Sequence, residues 1–129
     1  MSERDVKEYA SAYFLPFLLG SNKLSHRLSA KMLRKYGIVS LILDEKRSVR
    51  DLFDLSSHFF LLCQTDEHSM LADELSAIAQ RYEYVLPILV PCSKKYEELV
   101  DGLSDKLETE FVICDAERLF CDSPLADIP

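Results

Sequence analysis

Five short apolar runs, recurring every 20 to 27 residues along a 129-residue chain, limit the possible folds more than any other feature of this sequence. The first lies within Tyr13–Asn22, and the others are Ile38–Leu43, Ser57–Cys63, Tyr84–Val90 and Glu110–Cys114. Each is too short for a buried helix and too continuous for a half-exposed strand, so each reads as a strand covered on both faces. Between them lie stretches with helical spacing. Leu24, Leu28, Met32, Leu33 and Tyr36 form one stripe, closed by Gly37 at a helix C-terminus. Leu71, Leu75, Ile78 and Tyr82 form a second, opened by Thr65-Asp66-Glu67. Tyr96, Leu99, Val100, Leu103 and Leu107 form a third, capped by Ser93 and interrupted at Asp101-Gly102. Only a weak short helix or turn through Val49, Leu52 and Phe53 joins the second strand to the third.

Strand–helix alternation of this kind predicts an α/β fold: a three-layer, Rossmann-like parallel sheet of five strands with helices on both faces. Right-handed crossovers and short connections favour the order 3-2-1-4-5. Prolines complicate two strands. Because proline lacks an N–H, the first strand is expected to begin at Pro16 or just before it, and Ile88-Leu89-Val90 to be the best-paired part of the fourth, between Pro87 and Pro91. Residues 1–12 read as a lead-in helix with Val6, Tyr9 and Ala10 on one face, residues 13–120 as the domain, and the aperiodic 121–129 as a linker.

The net charge of −7 argues against nucleic acid or an anionic membrane as the main partner, and the 15 basic residues read as scattered. No run approaches the ~18 apolar residues of a membrane span. The charged start Met1-Ser2-Glu3-Arg4-Asp5 is unlike a signal peptide, so a cytoplasmic location is expected. Cys63, Cys92, Cys114 and Cys121 form no C-x-x-C pair, and His26, His58 and His68 supply no short-spaced ligand pairs. Reduced thiols and no zinc site follow.

In a doubly wound sheet the ligand crevice lies beyond the carboxyl ends of the strands, where the winding reverses. That places Gly20, Ser21 and Asn22, then Asp44, Gln64 and Thr65, Cys92 and Ser93, and Asp115 at the edge where chemistry belongs. Gly20 with Asp44, 24 residues later, suggests a dinucleotide site, but Gly20-Ser21-Asn22-Lys23-Leu24-Ser25 holds one glycine of the three that G-x-G-x-x-G requires. A tight turn at Gly20 and a solvated Asp44 fit better. There is no P-loop and no nucleophile elbow, and no serine or cysteine has an identifiable histidine partner. His26 reads as a surface or partly packed side chain.

Leu15-Pro16-Phe17-Leu18-Leu19-Gly20-Ser21, followed by Ser25-x-x-Leu28-Ser29-Ala30-x-x-Leu33-x-x-Tyr36-Gly37-Ile38, resembles the start of ATP-grasp carboxylate–amine ligases. Pro87-Ile88-Leu89-Val90-Pro91-Cys92-Ser93-x-x-Tyr96-x-x-Leu99-Val100 is similar to the fourth strand and helix of their N-terminal domain, and Leu103-Ser104-x-x-Leu107-x-x-x-Phe111-Val112 to the approach to its fifth strand. D-aspartate-ligase-like proteins and the ligases related to carbamoyl-phosphate synthase large subunits are the relatives suggested. The resemblance implies a pre-ATP-grasp domain, inactive alone, with no catalytic, cofactor or metal residues of its own. ATP and magnesium would bind in ATP-grasp lobes downstream of it in the same chain, where an acyl phosphate is attacked by an amine. It further implies that Gly20, Ser21 and Asn22, with Cys92 and Ser93, form one wall of the acceptor-substrate site for a small molecule. The alternative is a self-contained Rossmann-like module binding a small molecule or nucleotide. Edges at strands 3 and 5 leave a homodimer open to either reading.

Overall fold

The structure, a computed structural model, describes residues 14–62, 68–82 and 85–116. Five parallel strands form one sheet in the order β3-β2-β1-β4-β5, as the alternation predicts. They are β1 (Phe14–Leu19), β2 (Ser40–Asp44), β3 (Ser57–Leu61), β4 (Leu86–Pro91) and β5 (Val112–Ile113). The helices are α1 (Lys23–Tyr36), α2 (His68–Ala79), α3 (Lys94–Gly102) and α4 (Ser104–Leu107), with 3-10 turns at Val49–Leu52 and Gln80–Tyr82. The expected lead-in helix, the Thr65–Glu67 helix start, Cys63, Cys121 and the linker lie outside the described residues.

β1 is central and wholly buried, and its side chains alternate between two cores. Leu15, Phe17 and Leu19 meet Leu71 and Leu75 of α2 and Tyr96 and Val100 of α3 on one face. Phe14 and Leu18 meet Leu28 and Met32 of α1 on the other. Phe17 also packs edge-on against Phe111, with ring centroids 5.1 Å apart. α2, α3 and α4 therefore cover one face and α1 the other, giving three layers.

Proline is tolerated inside these strands because of where each missing donor would point. Pro16 is the third residue of β1, not its first. In a parallel ladder, alternate residues address the same neighbour. Gly20 N donates to Leu43 O of β2 at 2.8 Å, so the nitrogens of Leu18 and Pro16 face β2 as well. β1–β2 pairing begins only at Phe17↔Leu41, so Pro16 withholds a donor where no ladder has started. The same logic applies to β4. Cys92 N donates to Leu19 O of β1 at 2.9 Å, which turns the nitrogens of Pro87, Leu89 and Pro91 toward β5. There the ladder consists of Ile88↔Val112 and Leu89↔Ile113, with Cys114 N closing it on Leu89 O at 2.9 Å. Two prolines bracket the one donor β4 can offer on that side. This is why β5 has two residues instead of the five expected from its apolar run.

α1 is closed as its sequence suggests. Asn22 caps it through a reciprocal capping box with Ser25, each side chain accepting from the other's backbone N–H at 3.0 Å. Gly37 ends it in the left-handed conformation, φ 69°, donating to Leu33 O at 2.9 Å. A Cβ at Gly37 would meet nothing within 4 Å, so only backbone strain opposes substitution. Gly37→Ala is expected to cost about 1 kcal/mol in urea unfolding, and Gly37→Asn, which tolerates that conformation better, clearly less.

Candidate functional site

Strands β1, β2 and β4 deliver their exit loops to one edge, and a single carboxylate ties the three together. Asp44, the last residue of β2, accepts from Ser21 N through Oδ2 at 2.7 Å. Its Oδ1 accepts from Glu45 N at 2.7 Å and from the Tyr96 hydroxyl at 2.9 Å. Neither a solvated acid nor a free ribose ligand is therefore present: Asp44 is spent on its own protein. Tyr96 is buried, and burial, then the bond to Asp44, raises its hydroxyl pKa well beyond the ordinary phenol range, so it acts as a neutral donor.

The five residues expected at this edge do come together. Asn22 Nδ2 donates to Cys92 O at 2.9 Å, joining the loop after β1 to the loop after β4. A Cβ built on Gly20, whose φ is 107°, would approach Tyr96 Cδ2 at 3.4 Å and Ser93 Oγ at 3.7 Å. Ser93 caps α3, its Oγ accepting from Tyr96 N at 3.3 Å. Beside this junction a hollow of about 390 Å³ opens at the carboxyl edge, bordered by Leu24, Pro91, Glu97, Asp101 and Asp115. Gln64 and Thr65 lie outside the described residues.

The turn after β1 is a poor phosphate cradle for a stronger reason than its missing glycines. Four of the donors there are already engaged: Gly20 N by Leu43 O, Ser21 N by Asp44, Asn22 N by Ser25 Oγ, and Ser25 N by Asn22 Oδ1. A phosphate there would also lie beside the Asp44 carboxylate.

The sequence reading missed a second cluster next to Ser21. His26, one turn into α1, is partly packed, the second of the two expectations, but it is also wedged between two aspartates of the β2–β3 connection. Its Nε2 lies 2.9 Å from Asp51 Oδ1, and its Nδ1 bonds Asp54 Oδ2. Ser21 Oγ donates to the same Asp51 oxygen at 2.7 Å, and it lies 2.8 Å from Ser48 Oγ and 3.2 Å from His26 Nε2. Ser48 N closes the 3-10 turn on Asp51 Oδ2. Below, Ser29 Oγ donates to Asp54 Oδ2 at 3.1 Å and lies 2.9 Å from Ser56 Oγ, which bonds Asp54 Oδ1.

Ser21, His26 and Asp54 are thus in contact in the order of a hydrolytic triad, contrary to the expectation that no serine has a histidine partner. The chemistry does not follow. A general base needs a lone pair on Nε2 aimed at the serine proton, whereas here both ring nitrogens face carboxylates, which only accept. The serine proton itself goes to Asp51, and Gly20 N and Ser21 N, engaged elsewhere, are not available as oxyanion donors. The cluster is a clamp holding the β2–β3 connection on α1. Sequence spacing hides it because its acids lie 25 and 28 residues from His26.

Burial alone would raise the Asp54 carboxyl, but hydrogen bonds from Ser56, His26 and Ser29 outweigh it, and its pKa falls below the ordinary 3.8. A lowered folded-state pKa stabilises the fold above the unfolded value and loses that contribution as pH falls through the folded one. Asp54→Asn is therefore expected to lose about 1–3 kcal/mol near pH 7, with the gap from wild type narrowing below about pH 4, in parallel urea titrations. Cys92 and Cys114 are buried and unpaired. Burial, reinforced by Glu97, pushes the Cys92 thiol up to about 12, which makes it a wall and not a nucleophile. Native protein at pH 8 should leave Cys92 unmodified by iodoacetamide for hours, with rapid labelling in 6 M guanidinium, read by peptide mass spectrometry.

No family model matches the chain, and no curated protein matches it.

Proposed function

We propose that this chain is the N-terminal, pre-ATP-grasp domain of an ATP-dependent carboxylate–amine ligase of the acyl-phosphate type. On this reading it contributes one wall of the acceptor-substrate site and has no activity alone. ATP and magnesium belong to lobes downstream of it. The observation that carries the reading is the fusion of the β1 and β4 exit loops through Asn22 Nδ2 and Cys92 O, 2.9 Å apart, beside an open hollow. Those are the two loops that the resemblance implicates.

The electrostatics favour this reading over a self-contained nucleotide module. Glu97, Asp101 and Asp115 border the hollow, a setting that attracts an amine and repels phosphate. The engaged amides of the β1 turn point the same way. No helix among the described residues is long and apolar enough to cross a membrane.

Two measurements test the proposal. The reading frame past Pro129 should encode a further ~200 residues or more, enough for two lobes of ordinary size, and the whole product should release phosphate from ATP only with both an acid and an amine. A stop codon directly after Pro129 would overturn it. The 129-residue chain alone should show no thermal shift with millimolar ATP, NAD or FAD. A saturable shift abolished by Gly20→Val would instead establish the self-contained module.

A further inference from the structure

Both faces of a parallel sheet need a covering layer, and each crossover normally supplies a helix for it. Here one crossover does not. The β2–β3 connection, residues 45–56, contains only the 3-10 turn Val49–Leu52. Its bonds to His26 and Ser29 place it on the α1 side of the sheet. Beyond it, Leu61 of β3 is 62% exposed and Phe59 only half-buried. These two residues share a strand face, and Phe59 packs with the α1-side core.

The polarity of this connection is inverted. Its acids, Asp51 and Asp54, turn inward to the His26 clamp, while Val49, Leu52, Phe53 and Leu55 are between 66% and 80% exposed. With Leu61, five of the seven exposed large hydrophobic residues among the described ones fall within thirteen positions. Leu52, Leu55 and Phe59 border one hollow of about 300 Å³, which Arg47, Asp51, Asp54, Ser57 and His58 line as well.

Charge identifies the occupant. Among the described residues, eight of the twelve basic ones lie on α1 or the β2–β3 connection, and Arg81, Lys94, Lys95 and Lys106 lie on or beside α2–α4. α1 carries Lys23, Arg27, Lys31, Arg34 and Lys35 with no acid, and the connection adds exposed Lys46, Arg47 and Arg50. In a chain of net charge −7 the α1 side is locally basic, while Asp73, Glu97, Glu98, Asp101, Asp105, Glu108 and Glu110 lie on α2–α4 and the segments that follow. A second copy meeting this patch across a two-fold axis would set cations against cations. A bilayer is a poorer fit, since Leu52, Leu55 and Phe59 border a hollow that a lipid surface would leave unfilled.

We propose that the surface formed by Val49, Leu52, Phe53, Leu55, Phe59 and Leu61 docks an amphipathic helix with acidic flanks. The docked helix takes the place of the layer that the β2–β3 crossover omits. Apolar side chains at helical spacing would cover Leu52, Leu55 and Phe59, and glutamates or aspartates beside them would meet the exposed Arg47 and Arg50. This assignment is independent of the ligase reading.

The probes are two synthetic helical peptides of about 14 residues with the same leucine stripe, one flanked by glutamates and the other by lysines. Each is titrated into the ¹⁵N-labelled 129-residue chain. The glutamate peptide should give saturable shifts confined to residues 46–61 and α1, with the lysine peptide about tenfold weaker or more. Leu52→Glu combined with Leu55→Glu should weaken the glutamate peptide about tenfold while leaving the rest of the spectrum in place, since both side chains are exposed. No saturable shift up to about 1 mM, equal binding of both peptides, or shifts centred on α2–α4 would overturn the proposal. So would sedimentation showing a dimer that the double substitution dissolves, or capture of the chain by anionic phosphatidylserine vesicles that the glutamate peptide does not displace.

Discussion

β1 is buried on both faces and paired along both edges, so its backbone groups must find partners in β2 and β4. Much of the structure follows from this requirement. Pro16 is placed where its missing N–H faces β2 before that ladder begins, and β4 turns its prolines toward the far side. The cost falls on β5, reduced to two residues. β1 is saturated and the deficit is moved to an edge, where water can hydrate what the ladder leaves open.

At its carboxyl end β1 hands this order to the exit loops. Asp44 holds Ser21 N and the Tyr96 hydroxyl with one carboxylate, and Asn22 holds Cys92 O. A charged acceptor meeting several donors in a half-buried site is stronger than neutral pairs, so the loops form one rigid edge. Rigidity of that kind suits a wall against which a substrate is positioned. It does not suit a phosphate cradle, which needs unengaged amides. Next to it, the His26 clamp turns the acids of the β2–β3 connection inward and leaves its hydrophobic residues in solvent. One polar cluster thus anchors a connection and inverts its outer surface.

The α/β class, the strand order and the helix stripes were legible in the sequence, since each depends on local periodicity and on general rules of crossover handedness. Leu28, Met32, Leu71, Leu75, Ile78, Tyr96, Val100 and Leu107 are buried where their spacing puts them. Leu33, Tyr36 and Leu99 are partly buried, and Leu24, which begins α1 beyond the sheet, is 41% exposed. Gly20, Ser21, Asn22, Cys92 and Ser93 were also legible as a group, because strand ends converge by topology. What each does there was not. Asp44 read as solvated because nothing in its neighbourhood along the chain shows that Tyr96, 52 residues away, would reach it. His26 read as a surface or partly packed side chain with no partner named, because its partners arrive from a connection without periodicity.

By itself, then, the sequence determined the layers, the order of the strands and which residues stand at the carboxyl edge, because hydrophobic periodicity and turn chemistry act within a few residues. Only the tertiary structure decided which polar groups are consumed and which are presented. That choice depends on approaches between segments 20 to 70 residues apart, such as Ser21 with Asp44 and Asn22 with Cys92. A buried carboxylate takes whichever donors the packing brings within about 3 Å, and no local pattern records that outcome.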